Sequence, residues 1–190
     1  MKATLVSVAL ALLTIPGGQA PGKVKVGYCT GLRNLEAAKA AGFDYVELGT
    51  TEIAGLSDAD FDAAAARIKT LGIPTPTANN FLPATLKVTG PQTDIEAQMA
   101  HVRKALSRLS KLGVEVLVFG SGGARRVPDG FAKEEAFKQL VDFGRRAAKE
   151  ARANGITIAI TLNGALSMRD SLIAPNPAHS PQHTNAQKKK

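Results

Sequence analysis

Four times along the chain, a stretch with helical periodicity ends on a glycine and passes directly into a short run of β-branched or aromatic residues. The junctions are Ala41-Gly42-Phe43, Leu71-Gly72-Ile73, Leu112-Gly113-Val114 and Asn154-Gly155-Ile156. Glycine enters the left-handed backbone region without steric cost, so each junction reads as a helix stop feeding a strand. The intervening segments agree. Phe61, Ala64, Ala65, Ile68 and Leu71 share one helical face, as do Ile95, Met99, Val102, Leu106 and Leu109, and as do Phe137, Leu140, Val141, Gly144, Ala147, Ala148 and Ala151. Thr93 with Glu96 has the form of a capping box, and Ser57 with Asp60 is a weaker version. Strands are predicted over 24–28, 43–48, 73–77, 114–119 and 156–160, mostly continuous apolar runs of the kind found in a parallel sheet covered on both faces. Strand, helix, strand, repeated, means a parallel α/β architecture of about five strands and four helices. Periodicity leaves two forms open: a doubly wound sheet, or the N-terminal half of an eight-stranded barrel.

Composition bounds what this unit can do. The 190 residues are 44% hydrophobic and 21% charged, as in ordinary globular proteins. The net charge of +8 is concentrated at the ends: residues 21–163 hold 19 basic and 15 acidic side chains, a balance of +4, and no nucleic-acid partner is expected from so diffuse a charge. A single cysteine, Cys29, excludes a disulfide framework and any multi-cysteine zinc site. Residues 1–20 read as a signal peptide: Met1-Lys2, a mainly apolar run over 3–15, the Pro16-Gly17-Gly18 break, and small residues at Gly18 and Ala20 before the expected cleavage. The run of 13 residues is too short to span a bilayer of about 30 Å. The expected product is exported, periplasmic or secreted, without a membrane partner after cleavage. Residues 21–163 form the expected domain. Residues 164–190, with no apolar period and a terminal Lys188-Lys189-Lys190, read as a disordered basic tail.

In parallel α/β folds ligands bind at the carboxyl ends of the strands. Glu47 closes the second strand between apolar neighbours and is the candidate catalytic carboxylate; a salt bridge across the strand ends is its structural alternative. Asn79 and Asn80 follow the third strand, where two amides can bind a polyol or serve a turn. After the fourth strand, the Gly120-Ser121-Gly122-Gly123-Ala124-Arg125-Arg126 loop can turn backbone amides and two guanidinium groups toward a phosphate or carboxylate. Ser121, Gly122, Gly123, Arg125 and Arg126 are its candidate binding residues. The loop is neither a Walker sequence nor a dinucleotide fingerprint. Cys29 reads as a small buried residue, since His101 falls on the polar side of its helix and His179 and His183 lie in the tail. No His, Asp and Glu cluster with metal-ligand spacing is present in the expected domain, so no metal ligand is assigned.

Tyr45-Val46-Glu47-Leu48-Gly49, Asn79-Asn80-Phe81-Leu82-Pro83, Phe119 to Pro128 and Gly155 to Ile160 together resemble the sugar phosphate isomerase/epimerase family, the xylose isomerase-like TIM barrels. The resemblance covers residues 24 to about 163. It implies a barrel that isomerises or epimerises a small sugar or sugar phosphate with a divalent metal assisting proton transfer. The family's fifth strand runs into a metal-binding glutamate, whereas here Ile160 is followed by Thr161-Leu162-Asn163. A complete barrel takes about 250 residues. The expectation is a C-terminally truncated family member with the metal-binding half missing, impaired activity, and open sheet edges that favour self-association. The alternative is a noncatalytic exported module binding sugars or small anions. A phosphodiesterase or abasic-site endonuclease on the same kind of barrel would need a metal cluster that the sequence does not supply.

Overall fold

The structure, a computed structural model, describes residues 24–161; the expected signal peptide and basic tail lie outside them. In chain order the elements are β1 (Gly27–Cys29), a 3-10 turn (Leu32–Asn34), α1 (Leu35–Ala40), β2 (Tyr45–Gly49), α2 (Thr50–Gly55), α3 (Asp58–Leu71), β3 (Thr77–Asn79), α4 (Ile95–Lys111), β4 (Val116–Phe119), α5 (Lys133–Ala153) and β5 (Thr157–Ile160). All pairings are parallel and the sheet order is β1-β2-β3-β4-β5. A doubly wound sheet reverses its order at a switch point, and this one does not. Five strands in sequential order are half of a TIM barrel.

The four junction glycines act as the sequence predicts. Gly42, Gly72, Gly113 and Gly155 have φ of 82°, 60°, 79° and 70°. An added Cβ would meet nothing within 4 Å at any of them, so backbone conformation and not space demands glycine. Ser57 caps α3, accepting from the Asp60 N–H at 3.1 Å and donating to the Asp60 carboxylate at 2.6 Å. At α4 the cap is Asp94, which accepts from the Ala97 N–H at 3.0 Å, one residue later than the predicted Thr93.

The sheet is covered on one face only, a correction to the two-sided burial expected from the apolar runs. Val46, Leu48, Ala78, Leu117 and Phe119 are buried in a core with Leu35, Ile53, Phe61, Leu106, Leu109 and Phe143. The intervening Tyr45, Glu47, Thr77, Asn79, Val116 and Val118 point the other way and remain half-buried. Strands also begin later than predicted. Pro74 and Pro76 have no N–H to donate, so residues 73–76 only lend carbonyls, Pro74 to the Val46 N–H and Pro76 to the N–H groups of Glu115 and Val116. The predicted four helices are joined by a fifth, α2, whose six residues are too few for a readable period. On α5 the sheet takes Ala136, Leu140, Phe143, Ala147 and Ala151, leaving Phe137 and Val141 half-buried and Ala148 exposed. Among the described residues β1 and β5 each pair on one side only, and the large exposed apolar residues are there: Val24, Val26 and Tyr28 at β1, and Ile160 at β5. Among the described residues no helix is long and apolar enough to cross a membrane.

Candidate functional site

An aromatic cluster fixes the rim at the carboxyl ends of the strands. Phe119, the last residue of β4, meets Phe143 of α5 at 5.4 Å between ring centroids and Phe81, just beyond β3, edge-on at 5.5 Å. Phe81 and Phe119 are buried, so the chain must pass the rim at fixed points on either side of them. His101 of α4 adds a contact that the sequence does not foretell. Its Nε2 lies 2.8 Å from the Phe81 carbonyl, and the ring is half-buried against the rim, not on a solvated face.

At the carboxyl ends of the strands is a cavity of about 610 Å³, whose wall includes Glu47, Asn79, Asn80, Ser121, Gly122 and Gly123 together with Thr51 and Thr161. Six of the eight site residues predicted from sequence are thus brought together. Glu47 enters no ion pair among the described residues. Its Oε1 accepts from Asn79 Nδ2 at 2.7 Å, and the same amide lies 2.9 Å from the Cys29 sulfur, so one side chain ties the ends of β1, β2 and β3. Cys29 is exposed on this face and not buried as expected, because β1 is covered on one side only. The two asparagines divide the roles open to them. Asn79 continues the strand and engages Glu47, whereas Asn80 takes the left-handed turn at φ 49°.

The loop after β4 is built differently from the predicted anion cradle. The N–H groups of Ala124 and Arg125 close a turn onto the Ser121 carbonyl at 3.0 and 3.1 Å and are not free for a ligand. Ser121 sits at φ 34°, a costly conformation for a residue with a Cβ, and its hydroxyl accepts from the Leu82 N–H at 2.9 Å. A Cβ on Gly123 would lie 2.7 Å from the Ala84 methyl, so the β3 and β4 loops touch at that glycine. Neither arginine lines the cavity. Arg126 is exposed and contributes its carbonyl, which accepts from the Thr89 hydroxyl at 2.9 Å. Arg125 is only 4% exposed and lies 5.0 Å from the Phe119 ring centroid, with one hydrogen bond, to the Thr161 carbonyl at 2.9 Å. Burial without a counter-charge pulls its guanidinium below the ordinary arginine value.

Thr161 follows the fifth strand, where ligand contacts are expected, but is not among the predicted binding residues, and Thr51 is not foreseen at all, because a threonine beside a strand carries no pattern that separates a ligand contact from ordinary β propensity. A divalent metal does not fit the described donors. Glu47 is the one carboxylate in the cavity wall, and among the described residues no three of His, Cys, Asp or Glu converge on a point.

Comparison with known proteins places this geometry. No curated protein matches the chain. Among solved structures it is similar to D-psicose 3-epimerase from Clostridium cellulolyticum H10, solved with D-tagatose, at 21% identity and a TM-score of 0.60 over 72% of this chain and 52% of that one. It is also similar to D-allulose 3-epimerase from Methylomonas sp. in complex with D-allulose, at 19% identity and a TM-score of 0.62 over 76% and 54%. A third, the IOLI protein with a binding zinc atom, gives 20% identity and a TM-score of 0.55 over 72% and 51%. The chain spans about half the length of these structures. The family model for the xylose isomerase-like TIM barrel matches residues 35–164, and the chain belongs to that family.

Proposed function

We propose that the chain is a sugar isomerase/epimerase-type protein whose cavity takes a small sugar. The observation that carries the reading is the convergence of Glu47, Asn79 and Asn80 with the Ser121 to Gly123 turn around one cavity at the carboxyl ends of parallel strands. Amide, hydroxyl and backbone groups suit neutral hydroxyls, and the absence of both guanidinium groups from the wall favours an unphosphorylated sugar over a sugar phosphate. The similar epimerases solved with D-tagatose and D-allulose support that choice.

Glu47 is the group for proton transfer. Its carboxylate, oriented by the Asn79 amide, would take the proton from the carbon beside the sugar carbonyl. Return of that proton to the former carbonyl carbon, with the hydroxyl proton passing from its own oxygen to the former carbonyl oxygen, isomerises the sugar; inversion at the same carbon needs a second group on the opposite face. The zinc in the IOLI protein supports a metal-assisted reaction in the family, but the described residues of this chain do not form such a site. Slow turnover is therefore expected. The second reading, a sugar-binding module without catalysis, is favoured by the single carboxylate in the cavity wall.

The test is incubation of the full chain with D-allulose and D-fructose in D₂O. Deuterium entering beside the carbonyl, lost in Glu47→Gln, supports catalysis. Binding without deuterium incorporation supports the second reading, and neither binding nor incorporation removes both. Export directed by residues 1–20 belongs to the same proposal, checked by N-terminal sequencing of protein recovered outside the cytoplasm. So does self-association through the unpaired edges of β1 and β5, checked by sedimentation.

A further inference from the structure

We propose that Thr161 is a further ligand-contacting residue of the cavity, and that Arg125 is its positioning residue instead of a ligand for an anion. The inference rests on the cavity being a sugar site. Thr161 follows the last residue of β5 and is tethered to β4 and its loop from both sides of its own peptide units. Its N–H donates to the Phe119 carbonyl at 3.3 Å, and its carbonyl accepts from Arg125 Nη2 at 2.9 Å. Two tethers on one residue fix the direction of its Cα–Cβ bond, and a β-branched side chain has few rotamers with which to depart from it.

That direction leaves the hydroxyl in need of a partner. Thr161 lines the cavity, and its Oγ1 is shielded from solvent with no hydrogen bond among the described residues. Asn79 Oδ1, also from the cavity wall, is in the same condition, because the Asn79 amide has committed its nitrogen to Glu47 and Cys29. Both atoms are closed to water, so a small side-chain shift accompanies their contact with a ligand; leaving them unpaired is costly, and a ligand that reaches them relieves that cost.

The two atoms ask for different things, which narrows the ligand. Asn79 Oδ1 can only accept, so its partner must bring a proton; the Thr161 hydroxyl can donate or accept. A fully ionised phosphate or a carboxylate could take a hydrogen bond from Thr161 but has no proton for Asn79. A sugar presents hydroxyls that donate and accept, and serves both. Arg125 takes no direct part: its guanidinium is buried over the Phe119 ring, outside the cavity wall, and reaches the ligand only through the backbone of Thr161.

The test is calorimetric titration of D-allulose into the full chain and its variants. Thr161→Val, which keeps the shape and removes the hydroxyl, should weaken binding about five- to tenfold, and Thr161→Ser should stay within about twofold of the parent. Without sugar, Thr161→Val should be as stable as the parent, since the lost hydroxyl had no partner. Arg125→Met should also weaken binding, and the double variant should bind no more weakly than Thr161→Val alone, as expected when one residue acts through the other. A merely structural Arg125 would multiply the two losses, and that result overturns its positioning role. Unchanged affinity in Thr161→Val overturns the contact. Should that variant not fold, the parent decides: the Thr161 methyl and Asn79 side-chain amide resonances must shift when D-allulose is added, and silence of both while Gly122 and Gly123 respond overturns the proposal. No binding of D-allulose by the parent removes the sugar-site reading and this inference with it.

Discussion

Two arginines are almost equally buried and have opposite surroundings. Arg108, 5% exposed, sits where α2, α3 and α4 meet, and Arg125, 4% exposed, sits at the rim between β4 and β5. Arg108 is held at both terminal nitrogens: Nη1 donates to the carbonyls of Ile53 at 2.9 Å and Leu56 at 2.8 Å, Nη2 pairs with Asp58 at 2.6 Å, and the plane lies 5.0 Å from the Phe61 ring centroid. It closes the end of α2 by occupying carbonyls that no later turn of helix can reach. Arg125 has a single carbonyl, an aromatic face, an Nε without a partner, and no ion pair among the described residues. A buried cation with a counter-charge and several carbonyl partners belongs to the architecture; one left with a single partner beside a cavity belongs to the site.

If that contrast is right, Arg108→Met should be more damaging than any substitution at the rim. It strands the Ile53 and Leu56 carbonyls and removes the Asp58 pair, at a cost of about 3 kcal/mol. The thermal midpoint of the full chain should fall by roughly 10 °C. A loss smaller than that of any rim variant would break the comparison.

The rim is sharpened by Ser121, whose hydroxyl is the acceptor for the Leu82 N–H. Ser121→Ala should cost about 1.5 kcal/mol by urea denaturation. Ser121→Gly should recover part of that loss, because glycine holds φ near 34° without strain. Equal losses in the two variants would mean that the left-handed turn stores no strain.

Arg125→Met comes next, with an expected change below about 1 kcal/mol, since removing a partly satisfied buried charge offsets the loss of its one hydrogen bond. Its effect should appear in ligand affinity and not in the urea midpoint. A loss as large as that of Arg108→Met would return Arg125 to the architecture.

The same contrast explains what can be read from the chain in advance. The junction glycines, the helical faces of α3 and α4 and the cluster at Glu47, Asn79, Asn80 and Ser121 are legible, because each depends on local backbone preference or on position at a strand end. Sheet order follows from the family resemblance and not from periodicity, and one-sided burial is not legible, since a run such as Val116-Leu117-Val118-Phe119 is apolar at every position although only alternate residues reach the core. The two arginines illustrate the rest. Arg125, next to three glycines, has the sequence context of an anion ligand, and Arg108, on a helix of mixed polarity, has that of a surface residue. Apart from Asp58, their partners are main-chain carbonyls 36 and 52 to 55 residues away, and no pattern in the sequence announces a carbonyl.

A third arginine supplies the smallest expected effect and a check on the ranking. Arg67 makes a two-point contact with Glu36, Nε to Oε1 at 2.6 Å with Nη2 on Oε2, but the side chains are 39% and 53% exposed. The hydrogen bond from Arg67 holds the Glu36 carboxyl below its ordinary value of 4.5. A carboxylate depressed in the folded state adds stability that is present above the unfolded value and disappears as pH falls through the folded one. Glu36→Gln should therefore lower the urea midpoint slightly at neutral pH, and less at high salt, which screens exposed pairs. The gap should close as the pH is taken below 4.5 and the parent's own carboxylate becomes neutral. On geometry alone this bidentate pair is better formed than anything Arg125 makes, so a gap that exceeds the effect of Arg108→Met, or that persists in acid, would show that contact geometry and not burial orders the three arginines.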